Sequence, residues 1–428
     1  METPSNSKNK FRPGVDKIYY AQPLFGKEEK EMVVKCLEQG WLGPGQHTIE
    51  FERKFADFVK KKHCVVVNSG SSANLLALTA LNLPKGSEVI TPACTFPTTF
   101  NPILQNNLVP VVGDVELETY NLDLSNLEKL LSKKTKAIML PHALGNPNDM
   151  VKLRKFTDKR SLYIIEDSCD TIGSKVGGFY TGHFGDVSTF SFYASHHITL
   201  GGGGGAVLTD SDEIVSRLRS LKDWGRADDF QHYWTKEGED IKRRFSVKVA
   251  GILYDSKYTY ATVGFNKKIV EMQAAFGLAQ FKKLEGFNKI RAKNIVELTK
   301  FLKQYEDFFI LPKTIPNAEV SWLAFPIMLR DKAPFKRFDL LHHLESRNIQ
   351  TRLIFAGNIL RHPAYKKINR RVVGSLKNSD KIMRDAFLVP VHQGIDKEKM
   401  EYIQDVMVSF LDKYLYSFIK KKGDDRRK

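Results

Sequence analysis

The sequence predicts an α/β fold with a mostly parallel sheet covered by helices on both faces, followed by a smaller α+β domain. Two observations support this. Short apolar runs alternate with helical patterns through the first two thirds of the chain, and the pattern changes near residue 290. Near-continuous apolar strands are typical of parallel sheets buried on both faces. The length of 428 residues also exceeds what one hydrophobic core usually fills.

The strand signals are apolar runs of four or five residues, each bounded by polar or turn-forming residues. They occupy residues 64–68, 88–91, 109–112, 137–140 and 162–165. Helical spacing follows the first run at residues 73–81 and recurs strongly at residues 269–284, after a charged stretch at residues 223–258. This alternation predicts a parallel sheet with crossover helices.

After residue 290 a long helix leads into different elements. A strand is predicted at residues 321–329, a helix at 335–347 and a C-terminal helix at 397–416. We therefore divide the chain into four parts: an N-terminal extension (1–23), a large domain (24–289), a small C-terminal domain (290–419) and a basic tail (420–428), whose role the sequence does not reveal.

Composition limits the kinds of function. No apolar run reaches the length of a signal peptide or a membrane span, so we expect a soluble, cytoplasmic protein. The four cysteines lie far apart, as expected in a reducing compartment without disulfides: Cys36, Cys64, Cys94 and Cys169.

The net charge of +17 is spread over separate segments without interleaved aromatic residues. This favours a solvated surface that attracts an anionic substrate, such as a nucleotide diphosphate, over nucleic-acid binding.

Residues suited to chemistry follow the predicted strands, where open α/β sheets bind ligands. Around Gly70, a strand turns into a helix through small residues, so backbone N–H groups can hold a phosphate, although an ordinary capped helix has the same pattern. Phe96 follows the next strand and could cover an aromatic ring or fill the core. Asp167 ends an apolar strand, where a buried carboxylate needs donors or a cation, such as a protonated ring nitrogen.

The segment at residues 189–199 reads TFSFYASHHIT and precedes five glycines. A pair of histidines on its own is more often structural than catalytic. Together with the phosphate turn, the aromatic residue and the strand-end aspartate, however, this segment resembles the active-site sequence of the DegT/DnrJ/EryC1/StrS sugar aminotransferase family. That resemblance implies the fold-type I fold of transferases dependent on pyridoxal phosphate (PLP). His196 stands where the family has its PLP-binding lysine.

The resemblance also implies roles for individual residues. The cofactor would be PLP or its amino form, pyridoxamine phosphate (PMP). By this resemblance, the cofactor phosphate would be bound by Gly70, Ser71 and Ser191. Phe96 would stack on the cofactor ring, and Asp167 would bind the pyridine nitrogen. Asn266 would reach the phosphate of the neighbouring subunit. A homodimer with shared active sites follows from that assignment.

A histidine in place of the lysine resembles the PMP-dependent 3-dehydratase group of this family. Histidine cannot bind PLP covalently, so PMP would be free to condense with the 4-keto group of a nucleotide-linked 4-keto-6-deoxyhexose. His196, with a pKa near neutrality, would be the base that removes a proton from the cofactor methylene as the carbon 3 hydroxyl leaves. An amino donor such as L-glutamate would regenerate PMP. Such dehydratases serve 3,6-dideoxysugar biosynthesis for O-antigen and lipopolysaccharide.

Two departures from relatives bear on the mechanism. The ascarylose-type members of the group carry an iron–sulphur cluster on four cysteines. Cys169 matches the first, but no cysteine follows it in this chain, and one thiolate cannot hold such a cluster. Gly202 stands where relatives have a glutamate. The absence of cysteines after Cys169 favours a dehydratase without a cluster. A dehydratase that uses an external reductase or diverges in product, and a non-catalytic nucleotide-sugar-binding homologue, are the alternatives.

Overall fold

The structure is a computed structural model that describes residues 10–227 and 240–425, with side chains as far as residue 415. The proposed N-terminal extension and basic tail therefore lie partly outside the described residues, as does the middle of the charged stretch. None of the described helices combines the length and apolar content needed to cross a bilayer. All four cysteines have free thiols.

Strands alternate with helices along the chain. The strands are β1 (His63–Val67), β2 (Glu88–Pro92), β3 (Val109–Gly113), β4 (Thr135–Pro141), β5 (Tyr163–Asp167), β6 (Lys175–Val176), β7 (Phe179–Tyr180), β8 (Val187–Ser191), β9 (Gly205–Thr209), β10 (Val247–Val249), β11 (Ile252–Tyr254), β12 (Phe309–Ile310), β13 (Ala318–Glu319), β14 (Phe325–Leu329), β15 (Arg371–Val372) and β16 (Ala386–Val389).

The α-helices connect these strands or cover them. They are α1 (Lys27–Glu38), α2 (Gln46–Val59), α3 (Gly70–Ala80), α4 (Pro97–Gln105), α5 (Leu127–Leu130), α6 (Met150–Asp158), α7 (Asp212–Lys222), α8 (Ile241–Arg244), α9 (Glu271–Lys303), α10 (Arg337–Glu345), α11 (Lys377–Asp385) and α12 (Lys397–Asp425).

The central sheet has eight strands in the order β1–β9–β8–β5–β4–β2–β3–β15. Only β9 runs antiparallel to its neighbours, and the strands from β8 to β15 pair in parallel. Strand β4 shows that both faces are buried, since Ala137 and Met139 pack in one apolar cluster and Ile138 and Leu140 in another. The predicted mostly parallel sheet is confirmed. Its parallel strands bring their carboxyl ends to one edge, where such sheets bind ligands.

A second, antiparallel sheet of order β12–β14–β16 packs with α10 and α12 around its own apolar cluster. Helix α9 runs through the proposed division at residues 289 and 290. The two parts are also connected at the edge of the large sheet, which the short strand β15 joins, and the N-terminal extension pairs with the small part through Ile18 and Ile349.

The predicted strand at residues 321–329 begins only at Phe325. Side chains bind the backbone carbonyls of the preceding residues. His197 donates to the Ser321 carbonyl at 2.9 Å, and Arg291 donates to the carbonyls of Trp322 and Leu323 at 3.2 and 2.8 Å. These three carbonyls therefore have side-chain donors in place of a neighbouring strand.

Candidate active site

The carboxylate of Asp167 lies buried at the end of β5, between α3 and α4. Asn74 Nδ2 and Thr99 Oγ1 both donate to its Oδ2, at 2.8 and 2.7 Å. Thr189 Oγ1 donates in turn to Asn74 Oδ1 at 2.5 Å, which fixes the orientation of the amide. Asp167 Oδ1 receives a longer bond from the Cys169 backbone N–H, at 3.2 Å, and the Cys169 thiol also hydrogen-bonds to this carboxylate. A carboxylate oxygen has two lone-pair sites, so Oδ1 can accept a further donor.

The turn that leads into α3 packs closely against the end of β8. The side chain of Ser69 caps the helix by accepting a hydrogen bond from the Ser72 N–H. A Cβ atom on Gly70 would lie 2.6 Å from the Ser191 Cβ and 3.1 Å from the Cys169 sulphur, so any other residue would push this contact apart. The exposed Ser71 follows in the first turn of the helix. The structure thus brings the hydroxyl of Ser191 to a helix N-terminus, the arrangement that binds phosphate.

Phe96 lies after β2 and immediately before the first residue of α4. Its side chain is 52% exposed, which excludes the interpretation as a core phenylalanine. The small domain approaches at this point, because the Ala356 N–H donates to the carbonyl of Thr95 at 3.2 Å. An exposed aromatic face at the carboxyl edge of the sheet can stack on a flat ligand.

His196 lies beside Ser191, in a turn and not on an extended strand. Its N–H donates to the Tyr193 carbonyl at 2.9 Å. On an extended segment, the side chains of His196 and His197 would point to opposite sides, but the chain turns here instead. The turn nevertheless separates the two imidazoles. His196 keeps 14% of its side chain exposed, whereas His197 is fully buried and donates from Nε2 to the Ser321 carbonyl.

The imidazole of His196 has three polar neighbours: the Ser191 carbonyl, the Asp170 carboxyl group and the Cys169 backbone. Its Nδ1 lies 3.3 Å from the Ser191 carbonyl oxygen, and its Nε2 lies 3.6 Å from Asp170 Oδ1. Burial lowers the pKa of His196 to about 4, an effect that the Ser191 carbonyl opposes. The expectation of a pKa near neutrality is therefore wrong, because the imidazolium loses most of its hydration at this position.

Sequence reasoning missed three residues near this imidazole. Burial, and then the charge of Asp167, raise the pKa of Asp170 to about 7. Burial also raises the pKa of Tyr20, whose phenol lies near Asp170 and Arg291. Arg291 is fully buried, and burial lowers its pKa to about 10; its Nε and Nη2 have no partner among the described residues. Asp170 stood three residues after Asp167 as a second acid, whereas nothing in the sequence indicated Tyr20 or Arg291.

Asn266 lies on a surface segment next to the phosphate turn. Its side chain is exposed, and its backbone forms a bridge with Asp223. The following residue, Lys267, accepts a hydrogen bond at its carbonyl from the Asn68 N–H at 2.9 Å. The structure thus clusters Gly70, Asp167, Ser191 and His196 but leaves Asn266 on the outer surface of the same subunit.

Gly202 adopts a backbone φ of +107°, where any other residue is strained, and a Cβ atom at this position would have no atom within 4 Å. The position where relatives have a glutamate therefore lies, in this chain, in a turn whose backbone conformation favours glycine. Among the described residues, no group of three or more histidine, cysteine, aspartate or glutamate side chains could hold a metal ion.

These features fit a pyridoxal-type cofactor. Gly70 lets Ser191 pack against the N-terminus of α3, where backbone N–H groups can hold a phosphate, Phe96 presents an aromatic face, and Asp167 Oδ1 remains able to accept from a ring N–H.

Comparison with known proteins gives concordant results. The chain is 40% identical over 405 residues to the lipopolysaccharide biosynthesis protein RfbH of Salmonella typhimurium, covering 92% of this chain and 91% of the relative. It is 39% identical over 415 residues to dTDP-4-dehydro-2,6-dideoxy-D-glucose 3-dehydratase of Saccharopolyspora spinosa, covering 94% and 88%. A solved structure of GDP-4-keto-6-deoxymannose-3-dehydratase with a trapped PLP–glutamate geminal diamine matches with a TM-score of 0.80 and 27% identity, covering 91% of this chain and 99% of that one.

The structural match confirms the predicted fold, that of the PLP-dependent aminotransferases. The sequence model of one family matches residues 23–408, nearly the whole described chain. The resemblance inferred from the active-site sequence is thereby confirmed, and the chain belongs to the DegT/DnrJ/EryC1/StrS aminotransferase family.

Proposed function

We propose that the protein is a PMP-dependent 3-dehydratase, which removes the carbon 3 hydroxyl of a nucleotide-linked 4-keto-6-deoxyhexose. The observation that carries the proposal is the imidazole of His196, which lies beside the Ser191 carbonyl and Asp170. It belongs to the segment that resembles the family's active-site sequence, at the residue where that sequence has its lysine. An imidazole can move a proton but cannot bind PLP covalently. Relatives named as 3-dehydratases support the assignment.

The same residues would hold the cofactor. Gly70, Ser71 and Ser191 would bind its phosphate at the N-terminus of α3, Phe96 would cover its ring, and Asp167 Oδ1 would accept from its ring nitrogen. When bound, PMP supplies an amino group that condenses with the sugar ketone and a conjugated ring that withdraws electrons.

The chain's own part in the reaction is proton transfer and orientation. The Ser191 carbonyl can only accept a hydrogen bond, so it holds the proton of His196 on Nδ1 and leaves the Nε2 lone pair free to take a proton. Asp167, whose position Asn74 and Thr99 fix, keeps a positive charge on the ring nitrogen favourable. The buried surroundings of His196 limit competing proton exchange with water.

The proposal extends to the amino donor and the pathway. L-glutamate is the proposed donor that restores PMP from PLP, supported by the solved relative with PLP and glutamate bound together. A role in deoxysugar biosynthesis for O-antigen or lipopolysaccharide is supported by the name of the Salmonella relative. We place the reaction in the cytoplasm, where such nucleotide sugars are made.

A substrate assay tests this function. The protein loaded with PMP is incubated with CDP-, GDP-, dTDP- and UDP-linked 4-keto-6-deoxy sugars, and the absorbance of the cofactor is followed together with ammonia and the dehydrated sugar. Turnover with one of the four nucleotides, sustained by L-glutamate, supports the proposal. Turnover only with an added reductase indicates the reductase-dependent alternative. A protein that binds the sugar but no PMP is a non-catalytic homologue.

The purified protein is expected to contain no iron–sulphur cluster, because no cysteine follows Cys169 and a cluster needs four thiolates. Iron and acid-labile sulphide are measured in protein prepared without oxygen. Stoichiometric amounts of both would contradict the expectation.

The functional unit is expected to be a homodimer in which Asn266 serves the neighbouring site. Exposed apolar side chains are concentrated in the segment just before it, at Val249, Ile252, Leu253, Tyr254, Tyr258, Tyr260 and Val263. Such a surface is typical of an interface.

Subunit mixing tests the shared site. Asn266→Asp would place a negative charge against the phosphate, and each of Asn266→Asp and His196→Asn alone is expected to be nearly inactive. Mixed dimers have one intact site each and make up half the population. Mixing is therefore expected to restore about a quarter of the wild-type activity. An active monomer in sedimentation, or no recovery in proven mixed dimers, would contradict the shared site.

A further inference from the structure

Asp170 is a buried acid without an assigned role. It follows β5 and lies beside the loop that carries Leu144. Its carboxyl group accepts a hydrogen bond from the Leu144 backbone N–H. Its Oδ1 lies 3.6 Å from His196 Nε2. This separation is longer than a hydrogen bond but within the range of an ion pair.

The geometry determines which nitrogen of His196 faces this acid. The Ser191 carbonyl, 3.3 Å from Nδ1, requires the proton there, so Nε2 is the unprotonated nitrogen of the neutral imidazole, and it lies 3.6 Å from Asp170 Oδ1. A proton that arrives on Nε2 therefore arrives next to the carboxyl group.

The Ser191 and Cys169 backbone groups raise the pKa of His196 but do not offset its burial, and the other side chains around it supply no free negative charge. Arg291 disfavours a positive charge on the imidazole, and Asp167, which favours one, is already bound by Asn74 and Thr99. The buried His197 carries no stabilising charge, and burial raises the pKa values of the Cys169 thiol and the Tyr20 phenol, so both stay neutral. With Asp170 protonated, His196 is a weak base.

We propose that Asp170 is the positioning residue that makes His196 an effective base, its ionised carboxylate stabilising the proton that Nε2 takes up 3.6 Å away. The inference rests on the proposed function, in which His196 removes the proton from the cofactor methylene. No other bond changes at Asp170: the proton moves from carbon to Nε2, and the carboxylate holds the resulting imidazolium.

The pH dependence follows from the sign of this charge. Burial and Asp167 raise the pKa of Asp170 to about 7, so the carboxylate forms as pH rises through neutrality. A negative charge beside Nε2 increases its basicity. The dehydration rate is therefore expected to rise with pH through about 7 in the wild type. An aspartate acting as the acid that protonates the leaving hydroxyl would give the opposite slope.

The first test needs no catalytic turnover. Imidazole nitrogen and carbon-bound proton resonances are followed by NMR against pH in resting protein labelled at histidine, with the His196 signal assigned from its loss in His196→Asn. In the wild type, the His196 signal is expected to show an inflection near pH 7 that reports the ionisation of Asp170. Asp170→Asn should abolish that inflection. The His197 ring bonds to the Ser321 carbonyl and senses this change only through the charge of His196, so its signal serves as the internal control and should shift much less.

The second test is the pH profile of a single turnover. Asp170→Asn is expected to slow dehydration above neutral pH on the order of tenfold to a hundredfold and to remove the rise through neutrality. Asp170→Glu, which restores a carboxylate, should recover part of the rate and the slope. Thermal unfolding confirms that each variant is folded.

Each outcome has a distinct meaning. An unchanged His196 titration in Asp170→Asn overturns the inference, whatever the activity. So does an equal loss of rate at every pH, because a merely structural role gives that result. If no sugar is dehydrated by the wild type, the proposed function fails, while the NMR titration still decides whether Asp170 acts on His196.

Discussion

Replacing His196 with asparagine is expected to leave PMP bound and to slow the loss of the carbon 3 hydroxyl by about a hundredfold or more. Asparagine cannot take up a proton, whereas the groups proposed to hold the cofactor lie elsewhere, at Gly70, Phe96, Asp167 and Ser191. Rapid mixing of the PMP-loaded variant with the 4-keto sugar measures the rate in one turnover, and the absorbance of the purified protein measures cofactor retention.

The neighbouring histidine provides the matched control. His197 is fully buried and donates to the Ser321 carbonyl, so His197→Asn is expected to cost about 1–3 kcal/mol of unfolding free energy through that lost contact. Dehydration by the folded fraction should continue. If His196→Asn dehydrated at an undiminished rate while folded His197→Asn was inactive, the assignment of the base would be wrong.

The substitution His196→Lys tests the same position by introducing an amine that can react with the cofactor aldehyde. A lysine amine there is expected to bind PLP covalently, giving a visible absorption band that borohydride reduction traps on the protein. Amino transfer to the sugar should then increase relative to dehydration. A lysine variant with neither the band nor the trapped adduct would show that the side chain at position 196 does not reach the cofactor.

The parts of the site carried by local sequence could be predicted, and those made by tertiary packing could not. The turn at Gly70 and the acid of Asp167 follow apolar strands, and parallel strands place such residues at one edge. The partners of Asp167, which are Asn74 and Thr99, come from two different helices. Arg291 lowers the pKa of His196 through its charge from α9, far along the chain, where a single arginine among many basic residues carries no signal.

Helix α9 illustrates the same limit for the fold. The sequence predicts a helix at residues 269–284 and another from about residue 290, yet one helix runs continuously from Glu271 to Lys303. Gly286 lies between the two predicted parts, where a glycine lowers helix propensity by about 1 kcal/mol. Leu284 and Phe287 on either side are buried, and this packing outweighs the local preference.

Asp167→Asn is expected to lower the dehydration rate by about a hundredfold to a thousandfold while leaving the fold intact. Asn74 Nδ2 and Thr99 Oγ1 both donate toward Oδ2, so the oxygen of the new amide must take that position. Its NH₂ group then occupies the position of Oδ1 and faces the ring nitrogen as a donor. A donor there opposes protonation of that nitrogen, and a neutral ring withdraws electrons poorly.

The measurements separate this electronic effect from a loss of binding. Cofactor content by absorbance after gel filtration should fall only modestly, because the phosphate cradle at Gly70 and Ser191 is unchanged. The single-turnover rate should fall steeply. Thr99→Val is the control: it removes one of the two donors to Oδ2 but keeps the carboxylate, so a loss of about tenfold or less is expected. If Asp167→Asn kept the wild-type rate, or if Thr99→Val lost as much, the carboxylate would not be the group that holds the ring nitrogen.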